Sequence, residues 1–270
     1  MFANNNQPFY WGVTAEAFSL GPLHIRWYGL LFAFAFLAGY RIVAWVFARE
    51  NKPSVDLDPL FITMFLGTVL GARLGHCLLY EPGFYLSHPL EILKIWQGGL
   101  ASHGAGIGMF IALYLYARRR NNQPYLWLLS RMTIVVALGG ALIRLGNFFN
   151  SEIIGKPTDI WWAVVFAHID SLPRHPAQLY ESLAYLAVFI VLVYLYRRTN
   201  PRTNQSLLLG FFLSTVFIMR FLIEFLKEPQ VEFERRMMLD LGQILSLPLI
   251  FLGLLFLYQW GRNFRKEPPQ

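Results

Sequence analysis

The sequence has little charge for its length. Charged residues make up 14% of the 270 positions, whereas hydrophobic residues make up 56%. Ordinary soluble domains are about a quarter charged, so a soluble fold of this size has too little polar surface to enclose so much apolar material. A lipid bilayer removes this problem because it acts as the solvent for apolar helix surfaces. The composition therefore predicts a membrane protein.

Cysteine is almost absent as well. Cys77 is the only one, which excludes an internal disulfide and a cysteine-based zinc site. We expect Cys77 to be a small buried residue within a helix. The first residues carry no Lys or Arg, so they lack the basic region of a cleavable signal peptide. Since no linker or clear repeat divides the chain, residues 1–270 are predicted to form a single polytopic membrane domain.

Long apolar segments are what the sequence does contain. A segment of about 20 apolar residues crosses the core of a bilayer. Such segments lie at residues 25–48, 58–81, 99–117, 125–149, 178–196, 206–226 and 240–260. They predict an all-α integral membrane protein with about seven transmembrane helices around a polar cavity.

Basic residues in the loops predict the orientation. The loops on one side are short and hold Arg49, Lys52, Arg118, Arg119, Arg120, Arg197, Arg198, Arg202, Arg262, Arg265 and Lys266. The longer loops on the other side hold only Lys94, Lys156, Arg174, Lys227, Arg235 and Arg236. The positive-inside rule then places the N-terminus outside and the C-terminus in the cytoplasm. The cytoplasmic leaflet also accounts for the net charge of +7 without nucleic acid.

Several ionisable residues lie within the predicted spans, where charge is costly and marks a polar cavity. They are Arg73, His76, His103, Arg144, Glu181, Arg220 and Glu224. Two arginines that face one cavity suit an anionic ligand such as phosphate, because guanidinium offers paired donors and stays charged. The alternative is that these residues form ion pairs that only stabilise the helix bundle. Arg131, near the cytoplasmic end of the predicted fourth helix, is expected to meet only lipid head groups and to tolerate Lys or Gln.

Glycines surround the predicted cavity. Gly67, Gly71 and Gly75 are spaced four apart, a pattern that lets two helices approach closely. The stretch GGLASHGAGIG, residues 98–108, flanks His103 and favours a broken or re-entrant backbone beside a polar site. The histidines show no HxxxH spacing, so we expect no metal site, and we expect no other cofactor.

Six sequence blocks carry a family resemblance. The stretch ALIRLGNFFNSEIIGKPT, residues 141–158, resembles the signature of prolipoprotein diacylglyceryl transferases, whose core reads G-R-x-G-N-F-x-N-x-E-x-x-G. The other blocks follow in the family's order: RWYGLLF (26–32), GGLASHGAGIG (98–108), HPAQLYE (175–181), RFLIEF (220–225) and LGQILSLPL (241–249). Together they cover nearly the whole chain. Ile143, Ala105 and Ser151 stand where the family more often has glycine.

The resemblance implies an activity and a set of site residues. The implied reaction moves the diacylglyceryl group of phosphatidylglycerol to the lipobox cysteine of a prolipoprotein, which forms a thioether and releases glycerol phosphate. The family's functional residues correspond to Tyr28, His103, Arg144, Asn147, Glu152, Gly155, Arg220 and Glu224. Arg144 is then the phosphatidylglycerol-binding arginine, and Arg144 and Arg220 would stabilise the charge that develops on the phosphate.

The other residues of the set have expected roles too. His103 is the candidate base that takes the thiol proton. Tyr28, Asn147 and Glu152 would hold the head group, and Glu224 would orient Arg220. The implied partners are phosphatidylglycerol, prolipoprotein lipobox signal peptides and membrane lipids, and the implied location is the bacterial cytoplasmic (inner) membrane. A transporter or channel and a non-catalytic lipid-binding scaffold are the alternative functions.

Overall fold

The structure, a computed structural model, describes residues 8–21, 23–95, 99, 101–200, 205–229 and 237–264. The helices in these ranges are Trp27–Arg49 (α1), Leu57–Leu79 (α2), Pro82–Ser87 (α3), Ser102–Ala117 (α4), Tyr125–Phe149 (α5), Ala177–Arg198 (α6), Gln205–Glu224 (α7) and Leu241–Phe264 (α8). Loop residues with turn-forming preferences separate them. Asn51, for example, adopts a φ of 52° just after α1, a left-handed conformation that ends helices.

The long helices confirm an all-α, multi-pass membrane protein. Among the described residues, six helices are long and apolar enough to cross a membrane: α1, α2, α5, α6, α7 and α8. The predicted span at 99–117 is shorter than expected, because α4 begins at Ser102 and has 16 residues. At 1.5 Å per residue it extends about 24 Å, less than the roughly 30 Å of a bilayer core. Gly99, with a φ of 66°, lies before α4 in a backbone conformation that interrupts a helix.

Short strands, which the sequence did not predict, lie outside the spans. They are Phe9–Trp11 (β1), Glu16–Leu20 (β2), Leu23–Arg26 (β3), Val164–Phe166 (β4) and Pro173–Arg174 (β5). Strand β1 pairs in parallel with β4, which pairs antiparallel with β5, and β2 and β3 form a separate hairpin. The buried Val164 and Phe166 pack with Phe148, so this sheet covers one end of α5.

The described residues group into two compact units. The first unit contains the described residues within 1–39 and 133–270, and the second contains those within 40–132. In the second unit, Gly67, Gly71 and Gly75 of α2 pack against α4. A Cβ atom added to Gly71 would lie 2.4 Å from the carbonyl oxygen of Gly104. The expected small-residue contact between helices is therefore confirmed, and only glycine fits there.

In the first unit, α7 packs closely on α8. A Cβ atom on Gly253 would lie 2.5 Å from the backbone nitrogen of Ser214, so these two helices also approach through a glycine.

The predicted orientation of the chain in the membrane stays a prediction. Five of the basic residues on which the orientation depends lie outside the described residues: Arg202, Arg235, Arg236, Arg265 and Lys266. Gly98, in the stretch that flanks His103, also lies outside them.

Candidate active site

An ion pair between α5 and α6 lies at the centre of the candidate site in the first unit. The Nε atom of Arg144 lies 3.0 Å from Oε2 of Glu181, and the Glu181 side chain is fully buried. This oxygen accepts no aligned hydrogen bond from the described residues, so the contact is one of charge. Glu181, which the sequence singled out only as an ionisable residue in a span, therefore neutralises Arg144 without using up its N–H donors.

Polar side chains of the family signature extend from Arg144. Its Nη1 atom donates to Oδ1 of Asn147 across 3.4 Å, and Nδ2 of Asn147 donates to Oε2 of Glu152 at 3.0 Å. Nδ2 of Asn150 donates to the other carboxylate oxygen of Glu152 at 3.1 Å. Gln178 of α6 donates from Nε2 to the backbone oxygen of Glu152 at 2.7 Å. The structure thus brings three predicted site residues, Arg144, Asn147 and Glu152, into one chain of contacts.

A buried lysine adds a second cation beside Glu181. The Nζ atom of Lys227 lies 3.0 Å from Oε1 of Glu181 and 3.1 Å from Oε2 of Glu224. Lys227 is 1% exposed, although the sequence counted it among the loop charges. Glu224 was expected to orient Arg220, and in the structure its carboxylate contacts Lys227. The two acidic residues of α6 and α7 thus share one ammonium group.

Arg220 and Tyr28 complete the group of site residues in the first unit. Arg220 of α7 forms a side-chain hydrogen bond with Tyr185 and lies within electrostatic range of Glu181 and Glu224. Tyr185 is buried and lies near both Arg144 and Arg220, so the two arginines surround the same side chains. Tyr28, at the start of α1, lies near the charges of Glu152 and Arg144.

Glycines in the family blocks make these approaches possible. A Cβ atom on Gly155 would lie 2.3 Å from the carbonyl oxygen of His175, and one on Gly146 would lie 2.8 Å from the ring of Tyr28. One on Gly242 of α8 would lie 2.7 Å from the carboxylate carbon of Glu224. Larger residues at these positions would displace the side chains that form the site.

Arg174 stabilises the loop that holds Gly155. Its Nη1 atom donates to the Gly155 carbonyl oxygen at 3.1 Å and to Oε1 of Glu228 at 3.0 Å, and its Nε and Nη2 atoms donate to Asp170. The guanidinium lowers the pKa of Asp170, and the hydrogen bonds to Asp170 raise the pKa of Arg174. Burial lowers the pKa of the neighbouring His175. Arg174, counted by the sequence as a loop charge, is therefore a buried structural residue.

Other ionisable residues predicted in the spans belong to the second unit. His103 lies in the first turn of α4, and its side chain is exposed. Arg73 is buried and donates to the carbonyl oxygens of Ile92 at 2.9 Å and Glu91 at 2.6 Å. Arg73 thus fits the alternative interpretation, in which a buried charge only stabilises the fold. In the part of the chain that the structure describes, no group of three His, Cys, Asp or Glu residues could hold a metal ion.

Comparison with known proteins identifies the family. The sequence model of the prolipoprotein diacylglyceryl transferase family matches residues 15–259. This chain belongs to that family. A phosphatidylglycerol–prolipoprotein diacylglyceryl transferase of Chloroherpeton thalassium is 50% identical over 96% of this chain and 96% of its own length. Proteins of the same name are 48% identical in Tolumonas auensis, over 92% and 96% of the two chains, and 40% identical in Bacteroides fragilis, over 94% and 95%.

The geometry explains several family blocks. HPAQLYE supplies Gln178 and Glu181, which contact Glu152 and Arg144. LGQILSLPL supplies Gly242, whose missing side chain leaves space for Glu224. Sequence reasoning missed Lys227, although its spacing of three residues from Glu224 was a signal that the two could interact.

Proposed function

We propose that this chain transfers the diacylglyceryl group of phosphatidylglycerol to the lipobox cysteine thiol of a prolipoprotein, in the bacterial cytoplasmic (inner) membrane. Membership of the family supports the reaction. One observation in the structure supports it further: the largely buried Arg144 is neutralised by Glu181, while its terminal nitrogens contact only Asn147 among the described residues. Such a guanidinium can bind a phosphate with paired hydrogen bonds.

The reaction displaces a phosphate ester. The lipobox thiolate attacks the glyceryl carbon that carries the phosphate, a carbon–sulfur bond forms, and the carbon–oxygen bond to the phosphate breaks. The products are a thioether and glycerol phosphate, and the thiol proton passes to a base. The thiolate is the reactive form of the nucleophile, so its proton must be removed. Arg144 and Arg220 stabilise the negative charge that develops on the leaving phosphate.

The remaining site residues have proposed roles in binding and proton transfer. His103 is the base that accepts the thiol proton, and its exposed position at the start of α4 leaves the ring accessible. Tyr28, Asn147 and Glu152 hold the glycerol head group in line for attack. Gly155 permits the close approach of its loop to the backbone of His175, and Glu224 contributes to the charge environment of Arg220. No metal or organic cofactor takes part in this scheme.

Transfer from labelled lipid to a lipobox peptide tests the proposal. Purified protein is incubated with phosphatidylglycerol labelled either in the acyl chains or in the head group, together with a peptide that carries cysteine or serine in the lipobox. We expect the acyl label to appear on the cysteine peptide as a thioether and the head-group label to appear as glycerol phosphate. A protein that binds the lipid but yields neither product would be a transporter or a scaffold instead.

Cys77 gives an internal control for this assay. Its side chain is fully buried, and the proposed nucleophile comes from the substrate. Cys77→Ala should therefore retain the wild-type rate. A folded Cys77→Ala protein without activity would indicate a covalent enzyme intermediate.

We further propose that residues 1–270 form one membrane domain with an external N-terminus and a cytoplasmic C-terminus. The excess of Lys and Arg on one side supports this orientation. Asn4→Cys and Pro268→Cys, each in the Cys77→Ala background, allow labelling of intact cells with a membrane-impermeant thiol reagent. Position 4 should react and position 268 should not, and the opposite pattern would reverse the orientation.

A further inference from the structure

Lys227 is a buried cation that the proposed reaction leaves without a role. An isolated ammonium group in a protein interior costs several kcal/mol, so its burial requires close anionic partners. Lys227 has two, Glu181 at 3.0 Å and Glu224 at 3.1 Å, and all three residues are buried. An arrangement of this kind has either a structural role or an effect on the neighbouring site.

Backbone pairing determines where Lys227 lies. The chain leaves α7 at Glu224 and runs antiparallel to the loop that follows the family signature. The amide of Lys156 donates to the carbonyl oxygen of Leu226 at 2.8 Å, and the amide of Glu228 donates to that of Ile154 at 3.1 Å. Lys227 itself pairs with Gly155 between these two bonds. The signature loop therefore holds the lysine in place beside the site.

Glu181 connects Lys227 to Arg144. One carboxylate oxygen of Glu181 lies 3.0 Å from Lys227 and the other lies 3.0 Å from Arg144. A carboxylate that contacts a fixed cation at one oxygen has little freedom to rotate, so its second oxygen stays in place. The other contact of Arg144, with Asn147, is 3.4 Å long and therefore weak. Glu181 thus provides the main fixed contact of the guanidinium.

Lys227 also balances charge around the arginines. Glu181 and Glu224 are both buried, and both lie within electrostatic range of Arg220. Without Lys227, the two carboxylates would take their charge balance from Arg144 and Arg220 alone. The guanidinium donors would then turn toward the carboxylates and away from a ligand.

We propose that Lys227 is a positioning residue for phosphatidylglycerol. By holding Glu181 and Glu224, it fixes the orientation of Arg144 and leaves the terminal nitrogens of that arginine for the lipid phosphate. This inference rests on the proposed function, since it concerns the same site. It also explains why this lysine is buried next to a site whose ligand is an anion.

Two measurements test the inference, and only one of them requires transfer chemistry. The first is the rate of peptide modification against phosphatidylglycerol concentration. The second is the rise in melting temperature that phosphatidylglycerol causes relative to phosphatidylcholine, in mixed micelles without peptide. Both are made on Lys227→Met, Lys227→Arg, Glu181→Gln and the double variant Lys227→Met/Glu181→Gln.

A positioning role predicts a specific pattern. Lys227→Met should lower kcat/KM by about 10- to 100-fold, as expected when a binding group is misplaced by about 1 Å, and should reduce the phosphatidylglycerol-induced shift. Lys227→Arg, which keeps the charge, should retain most of the wild-type kcat/KM and most of the phosphatidylglycerol-induced shift in melting temperature. In the Glu181→Gln background, Lys227→Met should change kcat/KM little, because the link to Arg144 is already broken.

Lys156→Met is the matched control. Lys156 belongs to the same backbone pairing, but its side chain is exposed and its Nζ atom donates to the carbonyl oxygen of Phe225 at 2.9 Å. Its loss should leave kcat/KM and the lipid-induced shift unchanged. If Lys227→Met does not fold, the double variant Lys227→Met/Glu224→Gln is used in its place in both measurements. This double variant keeps the net charge of the buried group.

The outcomes separate this inference from the proposed function. Wild-type kcat/KM and a wild-type lipid shift in folded Lys227→Met would overturn the positioning role and leave the transferase proposal intact. If the wild-type protein forms no thioether but is stabilised by phosphatidylglycerol in a Lys227-dependent way, the positioning role stands and the proposed reaction fails.

Discussion

Arg131 in the second unit and Arg144 in the first are both arginines that pair with a buried carboxylate, but they use their donors differently. Arg131 is 1% exposed and donates from Nε to Oε1 of Glu50 at 2.8 Å and from Nη2 to Oε2 at 3.1 Å. Its Nη1 atom donates to Ser130 at 2.8 Å, and its guanidinium lies 5.6 Å from the ring centre of Trp127. Arg144 has one contact of charge with Glu181 and one weak hydrogen bond to Asn147.

This difference separates a structural arginine from a ligand-binding one. Every nitrogen of Arg131 has a protein partner, so its guanidinium is enclosed by the fold. Arg144 is held at its Nε side, and its terminal nitrogens remain available to an anion. The charge is the same in both cases, although Arg144 is more exposed, at 14% against 1% for Arg131, and the number and direction of the hydrogen bonds therefore distinguish the two roles.

The largest expected effect is on the stability contributed by Arg131. Loss of one partner of a buried ion pair leaves an uncompensated charge, so Arg131→Met should lower the free energy of unfolding by about 3–5 kcal/mol. An SDS titration that follows loss of helical circular dichroism measures this value. The folded fraction should keep wild-type kcat/KM.

A double variant is the control for Arg131. Arg131→Met/Glu50→Leu removes both charges and should recover much of the lost stability. If Arg131→Met unfolds at the wild-type SDS concentration, the pair with Glu50 is not structural, and the contrast with Arg144 disappears. The expectation from the sequence that Arg131 meets only lipid head groups is wrong, because Arg131 contacts Glu50 and Trp127. The expected tolerance of Lys or Gln stays a prediction, and these contacts argue against it.

The next largest effect is on activity at Arg144 and Arg220. Lysine keeps the charge but lacks the planar pair of donors, so Arg144→Lys and Arg220→Lys should each lower kcat/KM at least about 100-fold, which corresponds to about 3 kcal/mol. Initial rates against phosphatidylglycerol concentration measure the loss, and the SDS titration should show little change. Arg262→Lys is the control, since Arg262 lies exposed at the end of α8. Near-wild-type rates for both site variants would remove paired phosphate binding from the mechanism.

The sequence was sufficient to predict the long helices and most of the residues near Arg144. Apolar length determines a membrane span, and a charge within a span stands out against its neighbours. Arg144, Arg220, Glu181 and Glu224 were all visible in this way, and the structure places them in one group. The length of α4 was overestimated because the apolar segment of the sequence extends back to Gly99, whereas the helix begins only at Ser102.

Loop charges were harder to interpret. Lys227 and Arg174 look like surface charges in a linear sequence, because nothing local shows that residues 154–156 pair with residues 226–228. Arg131 was misread for a similar reason: its partner Glu50 is 81 positions away. The strands were missed because they have two to five residues, too few for a pattern of alternation to stand out.

A smaller effect concerns Asp170 and Arg174, an ion pair of the first unit outside the spans. The side chain of Asp170 is partly exposed, so Asp170→Asn should cost only about 1 kcal/mol of stability at pH 7. Arg174 lowers the pKa of Asp170 in the folded protein, so the carboxylate stabilises the fold above the ordinary Asp pKa. The stability difference between wild type and Asp170→Asn should therefore shrink as the pH falls below about 4.

Unfolding of both proteins at several pH values checks this dependence. A difference that stays constant between pH 7 and pH 3 would show that the carboxylate charge contributes nothing, and that the hydrogen bonds of Arg174 to Gly155 and Glu228 hold the loop unaided. This pair would then resemble Arg131, whose role depends on enclosed hydrogen bonds.

The smallest effect is expected at Ser151, in the loop between Arg144 and the backbone pairing that holds Lys227. Ser151 adopts a φ of 54°, and its buried hydroxyl makes no hydrogen bond to the described residues. A left-handed conformation costs a residue with a Cβ atom about 1–2 kcal/mol, and replacement by glycine removes this cost. Part of the resulting gain in stability is offset by the greater freedom of glycine in the unfolded chain. Ser151→Gly should therefore stabilise the protein by about 0.5–1 kcal/mol.

Ser151→Ala is the matched variant, because it removes the same hydroxyl but keeps the Cβ atom. If backbone strain is the cause, Ser151→Gly will unfold at a higher SDS concentration than Ser151→Ala, and both will keep wild-type kcat/KM. Equal stability of the two variants would mean that the left-handed conformation carries no cost here. A change in kcat/KM for Ser151→Gly alone would show that the shape of this loop affects how Arg144 meets the lipid. Backbone strain in the loop would then help to position Arg144, as the charge of Lys227 is proposed to do.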